Sequence, residues 1–319
     1  MKILIVGAGI VGSIHGWALS VAGHDVTHLV RPGRSARSSA GIPVDILDRR
    51  KGKPGRFRGT YSIRTVEDCQ AGNGYDLLIA PIHHFALNEV ITDILPRLPR
   101  TAVLFLTQNW EGTARIDAAL PRARYIFGDA KAGGSWEGEL LVATIKSMDI
   151  GPMDPTGMPL ALTVKTCLES AAIKTTIHAD DMLHYLWVQF AVSGGLWPAV
   201  IKAGSFKAAL RDRRAGDEAF AALHECLGLL ERRGVRLDAF TELSVYRSSS
   251  PFRKIFAMAM MSWMFTFNEY NKRCSAHALK DPREVRAFYY DLLETGRELG
   301  HPMPVFSGYK PFIDRFSGA

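Results

Sequence analysis

Three glycines offer the first chemistry in this chain. Gly7, Gly9 and Gly12 follow the apolar run Ile3 to Val6 and open a long apolar-periodic segment, and a second strand spans Asp25 to Val30. This is the strand–turn–helix–strand setting in which a G-x-G-x-x-G turn binds a dinucleotide. Gly7 permits the tight turn, Gly9 lets the backbone approach a pyrophosphate, and Gly12 lets the helix pack closely on the sheet. Free N–H groups and the positive dipole end of the helix then face the phosphates. The expected cradle is Gly7, Ala8, Gly9, Ile10, Val11 and Gly12.

The residue ending the second strand selects the dinucleotide. Where NAD is preferred, an acid stands there to accept from the ribose 2′-OH. Here the position is Arg31, with Arg34 and Arg37 close behind. A carboxylate would repel a 2′-phosphate, whereas a guanidinium can hold it through two hydrogen bonds. NADP is therefore the expected cofactor, with Arg31 as its phosphate ligand. Arg37 reads as solvated charge, and Arg34 stays open between the two.

Strands and helices alternate through the first half. Gly41–Leu47 and Arg58–Ile63 read as short strands around a basic, glycine-containing loop. Leu77–Ala80 and Ala102–Leu106 are continuous apolar runs, as strands buried on both faces of a parallel sheet should be. The first is followed by Pro81, His83, His84 and a helix to about Leu98; the second ends at Thr107-Gln108-Asn109. A helix from Thr113, strands Tyr125–Phe127 and Leu140–Ile145, and a helix Pro159–Ala172 complete the series. From about Asp180 only helical spacing remains, in Asp180–Val200, Gly216–Arg233, Phe256–Asn271 and Arg283–Leu299. The fold class is α/β: an N-terminal Rossmann-type doubly wound sheet over residues 1–179, then an all-helical C-terminal domain over 180–319 that serves substrate binding or oligomerisation.

Composition narrows the class. At 319 residues the chain has room for two cores. Its 39 Lys and Arg against 32 Asp and Glu leave a net charge of +7. Without stacking aromatics or a recognition helix, that charge points to anionic small molecules and away from nucleic acid. Four cysteines without a CxxC pair give neither a zinc site nor a disulfide framework, and fit reduced thiols in the cytoplasm. Three glycines in the opening turn argue against a signal peptide. Ile255–Phe267 is too short for a bilayer, which needs roughly 20 residues, and reads as a buried helix. Its methionines (Met258, Met260, Met261, Met264) read as core. A homodimer is among the assemblies that the sequence allows.

Together, GAGIVG at 7–12, Arg31, DLLIAPIHHF at 76–85, TQNWEGT at 107–113, MDIGP at 148–152, LWVQFAVSGGLWP at 186–198 and REVRAFYYDLLETGRELGHPMP at 283–304 resemble the ketopantoate reductase (2-dehydropantoate 2-reductase) family along nearly the whole chain. The resemblance implies a Rossmann domain joined to a helical domain. It implies reduction of a 2-oxo acid to its 2-hydroxy acid with NADPH. It also gives Asn109 a role in positioning the nicotinamide ribose or substrate, and Glu284 a substrate contact. For Glu284, a plain helix N-terminal acid is the competing reading.

The helix that should carry the chemistry departs from the family. The family's catalytic lysine falls at Gln189, and its two helix asparagines fall at Ser193 and Trp197. The active-site serine falls near Asn271 or Lys272, and the glycine after Asn109 is Trp110. Hydride addition to a ketone builds an alkoxide that must be stabilised and then protonated. A lysine ammonium does both, whereas Gln189 can donate a hydrogen bond but releases no proton. A missing general acid costs about 10²–10⁴-fold, or about 3–5 kcal/mol.

The stand-in acids are His83, His84 and Lys131, since an imidazole changes charge near neutral pH. Against this, paired loop histidines are more often structural, and Lys131 reads more readily as a solvent-facing loop lysine. Lys202 reads as a helix-end charge, and His178 and His184 as packing or solvent-facing groups. No spacing among them calls for a metal.

The expected activity is hydride transfer from NADPH to a 2-oxo acid or related carbonyl or imine. The expected site is Gln189, Ser193, Asn109 and Glu284, with His83 or Lys131 as acid. The alternative is an NADP(H)-binding sensor or partner protein that has lost turnover. A hydroxy-acid dehydrogenase with a lysine–asparagine pair fits less well, because the first helix of the second domain lacks that pair.

Overall fold

The structure is a computed structural model that describes residues 1–34, 41–69, 74–244, 246–247, 251–275 and 282–318. Arg37 lies outside them. The chain forms two compact units, Met1–Leu183 and His184–Ala319.

The first unit is built on one mixed sheet. Its strands are β1 (Lys2–Val6), β2 (Asp25–Leu29), β3 (Ile42–Asp48), β4 (Gly55–Tyr61), β5 (Thr65–Val66), β6 (Leu77–Pro81), β7 (Ala102–Leu106), β8 (Tyr125–Glu137), β9 (Leu140–Gly151) and β10 (Lys174–Ile177). The order across the sheet is β4-β3-β9-β8-β7-β6-β1-β2-β5, with β10 alongside β9. From β5 to β8 neighbouring strands are parallel. β8–β9 and β3–β4 are antiparallel. The chain leaves β1 for β2 on one side and returns to β6 on the other. This change of direction opens a crevice beyond the carboxyl ends of the strands, where such sheets place ligands.

Helices α1 (Ile10–Val21), α2 (Ala114–Ala119) and α3 (Met158–Ser170) join these strands. Ile14, Trp17, Ala18 and Leu19 of α1 and Ala161, Val164 and Leu168 of α3 share a core with Ile3, Ile5, Leu104 and Ile145 from the sheet. Gly16 sits where a Cβ would lie 2.4 Å from Nε2 of His28 and 2.6 Å from the Tyr61 hydroxyl, so only glycine lets α1 settle there.

Several expectations shift. The segments read as Tyr125–Phe127 and Leu140–Ile145 are the roots of a long hairpin that runs to Glu137 and back to Gly151. GDAKAGG reads as a loop because of its small residues, but they permit close strand approach. A Cβ on Gly134 would lie 2.4 Å from the Val142 carbonyl. Between His84 and Arg97 the expected single helix is a succession of short 3₁₀, α and π turns. The basic stretch from Arg49 to Arg58 is partly neutralised, since Arg50 pairs with Asp48, and Arg56 and Arg58 with Asp45.

The second unit is helical. It takes up most of α4 (Met182–Ala203), then α5 (Phe206–Arg211), α6 (Arg213–Arg232), α7 (Pro251–Phe267), α8 (Glu269–Ser275), α9 (Pro282–Glu298), α10 (Pro304–Ser307) and α11 (Lys310–Arg315). The expected continuous helix Phe256–Asn271 breaks at Asn268, whose side chain accepts from the backbone N–H groups of Tyr270 (3.0 Å) and Asn271 (3.3 Å) and so caps α8. The reading of Ile255–Phe267 as a buried helix holds on one side only. Ala257, Met258 and Met261 are buried, while Met260 and Trp263 are exposed. Among the described residues no helix is long and apolar enough to cross a membrane.

Candidate active site

The glycine turn has the geometry its sequence asks for. Gly7 adopts φ +78°, a conformation that L side chains rarely adopt, and its N–H donates to the Leu29 carbonyl of β2 at 2.7 Å. At Gly9 a Cβ would meet nothing within 4 Å, so the backbone there is bare toward its surroundings. Gly9 is also the N-cap of α1, with no side chain capping the helix and no acid in its first turn. The leading N–H groups of α1 are thus left for an anion. A Cβ on Gly12 would lie 3.2–3.3 Å from Ile5, Gly7 and Pro81, which fits its expected packing role.

A buried polar relay holds this turn from below. His28, the penultimate residue of β2, is fully buried. Its Nδ1 lies 2.8 Å from the Gly7 carbonyl and its Nε2 lies 3.0 Å from the Tyr61 hydroxyl. The carbonyl can only accept, so Nδ1 carries the proton and Nε2 accepts from Tyr61, which in turn bonds to Ser20. Burial pushes the His28 pKa down to about 4. On α1, His15 donates through Nδ1 to the Val11 carbonyl at 2.8 Å, and burial likewise lowers its pKa to about 4. The sequence reading missed both residues.

Both histidines are neutral in the folded chain and charged in the unfolded one below pH 6.5. Their contribution is thus complete above pH 6.5 and is lost as pH falls through about 4. Two such groups give roughly 2–3 kcal/mol of unfolding free energy per pH unit inside that window. Urea titrations between pH 4 and 7 should show stability climbing with this slope. A flat profile would mean that the two rings are already protonated or exposed.

Arg31 follows β2 in an exposed turn, in which the Arg34 N–H donates to the Arg31 carbonyl at 3.1 Å. The N–H of Gly33 donates to the Glu67 carboxylate at 3.0 Å, which fixes the turn that presents Arg31 and Arg34. Glu67 escaped the sequence reading.

At the carboxyl end of β7, Asn109 is buried, and its amide donates to the Gly112 carbonyl at 2.5 Å, closing the loop. Its role within the chain is therefore a turn clamp. The two residues before it contribute something else: Thr107 Oγ1 and Gln108 Oε1 are buried without a hydrogen-bond partner. Orphaned buried oxygens are rare, and here they stand at a strand end bordering the crevice. A nicotinamide dinucleotide fits this set: a bare glycine turn, an uncapped helix start, a basic turn after β2, and unsatisfied polar atoms after β7.

His83 precedes a 3₁₀ turn at the end of β6 and stacks on Phe85, ring centres 5.1 Å apart and nearly parallel. His84 meets the same ring edge-on at 5.6 Å. Lys131 is a strand residue of β8 and not a loop lysine; its ammonium pairs with Asp129 and lies 3.7 Å from Asp149. Asp149 also holds His178 at 3.2 Å and raises its pKa. His178 therefore belongs to an ion-pair cluster, a finer role than simple packing. Among the described residues no group of three or more His, Cys, Asp or Glu side chains could hold a metal ion.

In the second unit, Gln189 and Ser193 stand one turn apart on α4 and are half-buried, as are Val192 and Leu196 beside them. Trp197 turns its ring onto Phe206 at 5.0 Å. The opposite side is packed tightly: a Cβ on Gly194 would lie 2.5 Å from Leu292, and one on Gly195 3.1 Å from Leu223. Glu284 sits in the first turn of α9 with one carboxylate oxygen buried. That position suits the helix dipole. Lys202 pairs with Glu218 at 2.7 Å.

Comparison with known proteins agrees with the resemblance read from the sequence. Residues 3–155 match the family model described as ketopantoate reductase PanE/ApbA. No curated protein matches the chain in sequence. Among solved structures, D-mandelate dehydrogenase with NADH and anilino(oxo)acetate superposes with a TM-score of 0.76 at 15% identity, covering 98% of this chain and 97% of that one. A ketopantoate reductase from Ralstonia solanacearum MolK2, itself assigned only provisionally, gives 0.72 at 17%, covering 98% and 96%. The 2-dehydropantoate 2-reductase from Geobacter metallireducens GS-15 gives 0.72 at 16%, covering 99% of each chain. At these identities the likeness is one of fold: a Rossmann-type sheet followed by a helical region.

Proposed function

We propose that this chain, whose residues 3–155 carry the ketopantoate reductase domain, is an NADP-dependent oxidoreductase that reduces a 2-oxo acid or a related carbonyl or imine. The observation that carries the proposal is the glycine turn: a left-handed Gly7 and an open Gly9 at the uncapped start of α1. Bound there, the nicotinamide supplies the hydride. The residues from Gly7 to Gly12 hold the pyrophosphate through N–H groups, and Arg31 takes the 2′-phosphate. Thr107 and Gln108 give their unsatisfied oxygens to the nicotinamide end.

The reacting oxygen needs a donor as it gains charge. Gln189 fills that role with its amide N–H, and Ser193 supports it one turn along the same helix face. Glu284 and Asn109 orient the anionic substrate, Asn109 through the loop that it clamps. The pairing of Lys131 with Asp129 and Asp149 supports taking His83 as the proton source. The proposal includes a cytoplasmic protein that works as a homodimer. Its N-terminal domain of 1–179 serves the dinucleotide, and its helical domain of 180–319 serves the substrate.

The test is loss of NADPH absorbance with ketopantoate, a panel of other 2-oxo acids and a cyclic imine. Saturable turnover of at least one is expected; tight NADPH binding with no turnover across the panel would turn the reading to a sensor. In the same assay Arg31→Glu should weaken NADPH by about 10–100-fold while leaving NADH within a few-fold. Equal losses for both cofactors would remove Arg31 from the 2′-phosphate.

A further inference from the structure

Helix α7 carries apolar side chains on two opposite faces. Ala257, Met258 and Met261 form a core with Phe220, and Phe206, Tyr246, Met264 and Phe265 pack against it. The other side presents Phe252, Phe256, Met260, Trp263 and Phe267, which are 82, 66, 39, 57 and 71% exposed, and Ala259 is exposed between them. A helix that is hydrophobic all round is ordinarily a buried one. Here about a third of its circumference is left exposed among the described residues, and an apolar patch of this kind marks an interaction site.

The order of residues along the stripe says what fits it. An isologous contact needs a surface complementary to itself after a two-fold rotation. Taken about the midpoint between Ala259 and Met260, the six exposed positions map onto one another: Phe252 onto Phe267, Phe256 onto Trp263, and Ala259 onto Met260. Large meets large at the ends, and at the centre a small side chain meets a flexible one. We propose that this face is covered by the same face of a second copy of the chain, the two α7 helices running antiparallel. Phe252 then meets the partner's Phe267, and Phe256 meets the partner's Trp263. Four exposed aromatic rings and a methionine offer on the order of 500 Å² per copy. The pair therefore buries on the order of 1,000 Å², which is the threshold of a specific interface.

Sedimentation equilibrium of the full-length protein over a wide concentration range tests this. The wild type should dimerise, and Phe256→Glu and Trp263→Glu should each weaken the dimer at least about thirtyfold, as loss of an interface anchor does. Leu162→Glu, on an exposed leucine of α3, should leave the dimer intact. Circular dichroism and NADPH binding report whether each variant folds. Independently of folding in the glutamate variants, Met260→Cys at the two-fold should be joined between copies by a short bis-maleimide, whereas Leu162→Cys should not. A monomeric wild type, a Trp263→Glu variant that dimerises like the parent, or an unlinked Met260→Cys variant would each overturn the proposal. A monomer that pellets with anionic vesicles would overturn it as well, and would assign the face to a lipid surface.

Discussion

A Gln189→Lys variant is expected to reduce ketopantoate at least about a hundredfold faster than the parent chain. The expectation follows from what an amide can and cannot do. Gln189 can stabilise a developing alkoxide by donation, but the proton must then come from elsewhere. An ammonium on the same half-buried turn of α4 supplies both charge and proton, which are together worth about 3 kcal/mol at the lower limit. The measurement is kcat at saturating NADPH. The rate should also acquire a limb at high pH, where the introduced lysine loses its proton. An unchanged rate with intact NADPH binding would mean that this face of α4 does not meet the substrate. If only the double variant Gln189→Lys/Trp197→Asn gains activity, bulk at Trp197 is the second obstacle.

Gly9→Asp should abolish dinucleotide binding without harming the fold. A side chain at Gly9 meets nothing within 4 Å, and aspartate is a favoured N-cap, so the apo protein should melt at an unchanged or slightly higher temperature. The same carboxylate would stand where a pyrophosphate must approach. Repulsion and the loss of free N–H groups together should raise the Kd for NADPH at least about a hundredfold, or about 3 kcal/mol. The two measurements, melting temperature and NADPH titration, are expected to move independently. Unimpaired binding would sink the proposed cradle.

The first strand, turn and helix were legible because glycine spacing and apolar periodicity state the same geometry twice. The continuation of β8 beyond Phe127 was not, because a stretch built mainly from glycine and alanine carries no β-branched signal; Gly134 answers to the Val142 carbonyl opposite and not to local preference. The break at Asn268 was written in the sequence as a capping residue, but a strong apolar period ran across it. Site residues divide in the same way. Arg31 and the glycines could be found because a motif fixes their spacing. His28 and Glu67 could not, because each acts on a turn distant in sequence, and only the pairing of β1 with β2 and of β2 with β5 brings them to it. Gln189 was readable only as a departure, and its meaning depends on chemistry that spacing does not encode.

Helix α4 divides its duties around its circumference. Gly194 and Gly195 bring α4 close to Leu292 and Leu223, and a side chain added there would have to displace the end of Leu292 or crowd Leu223. Gln189 and Ser193 lie on the half-buried side, away from these two contacts. Mutations on that side are therefore expected to cost less in stability than mutations on the packing side. With Gln189 in the proposed role, selection could exchange the reaction on one side of the helix while the other side keeps the scaffold.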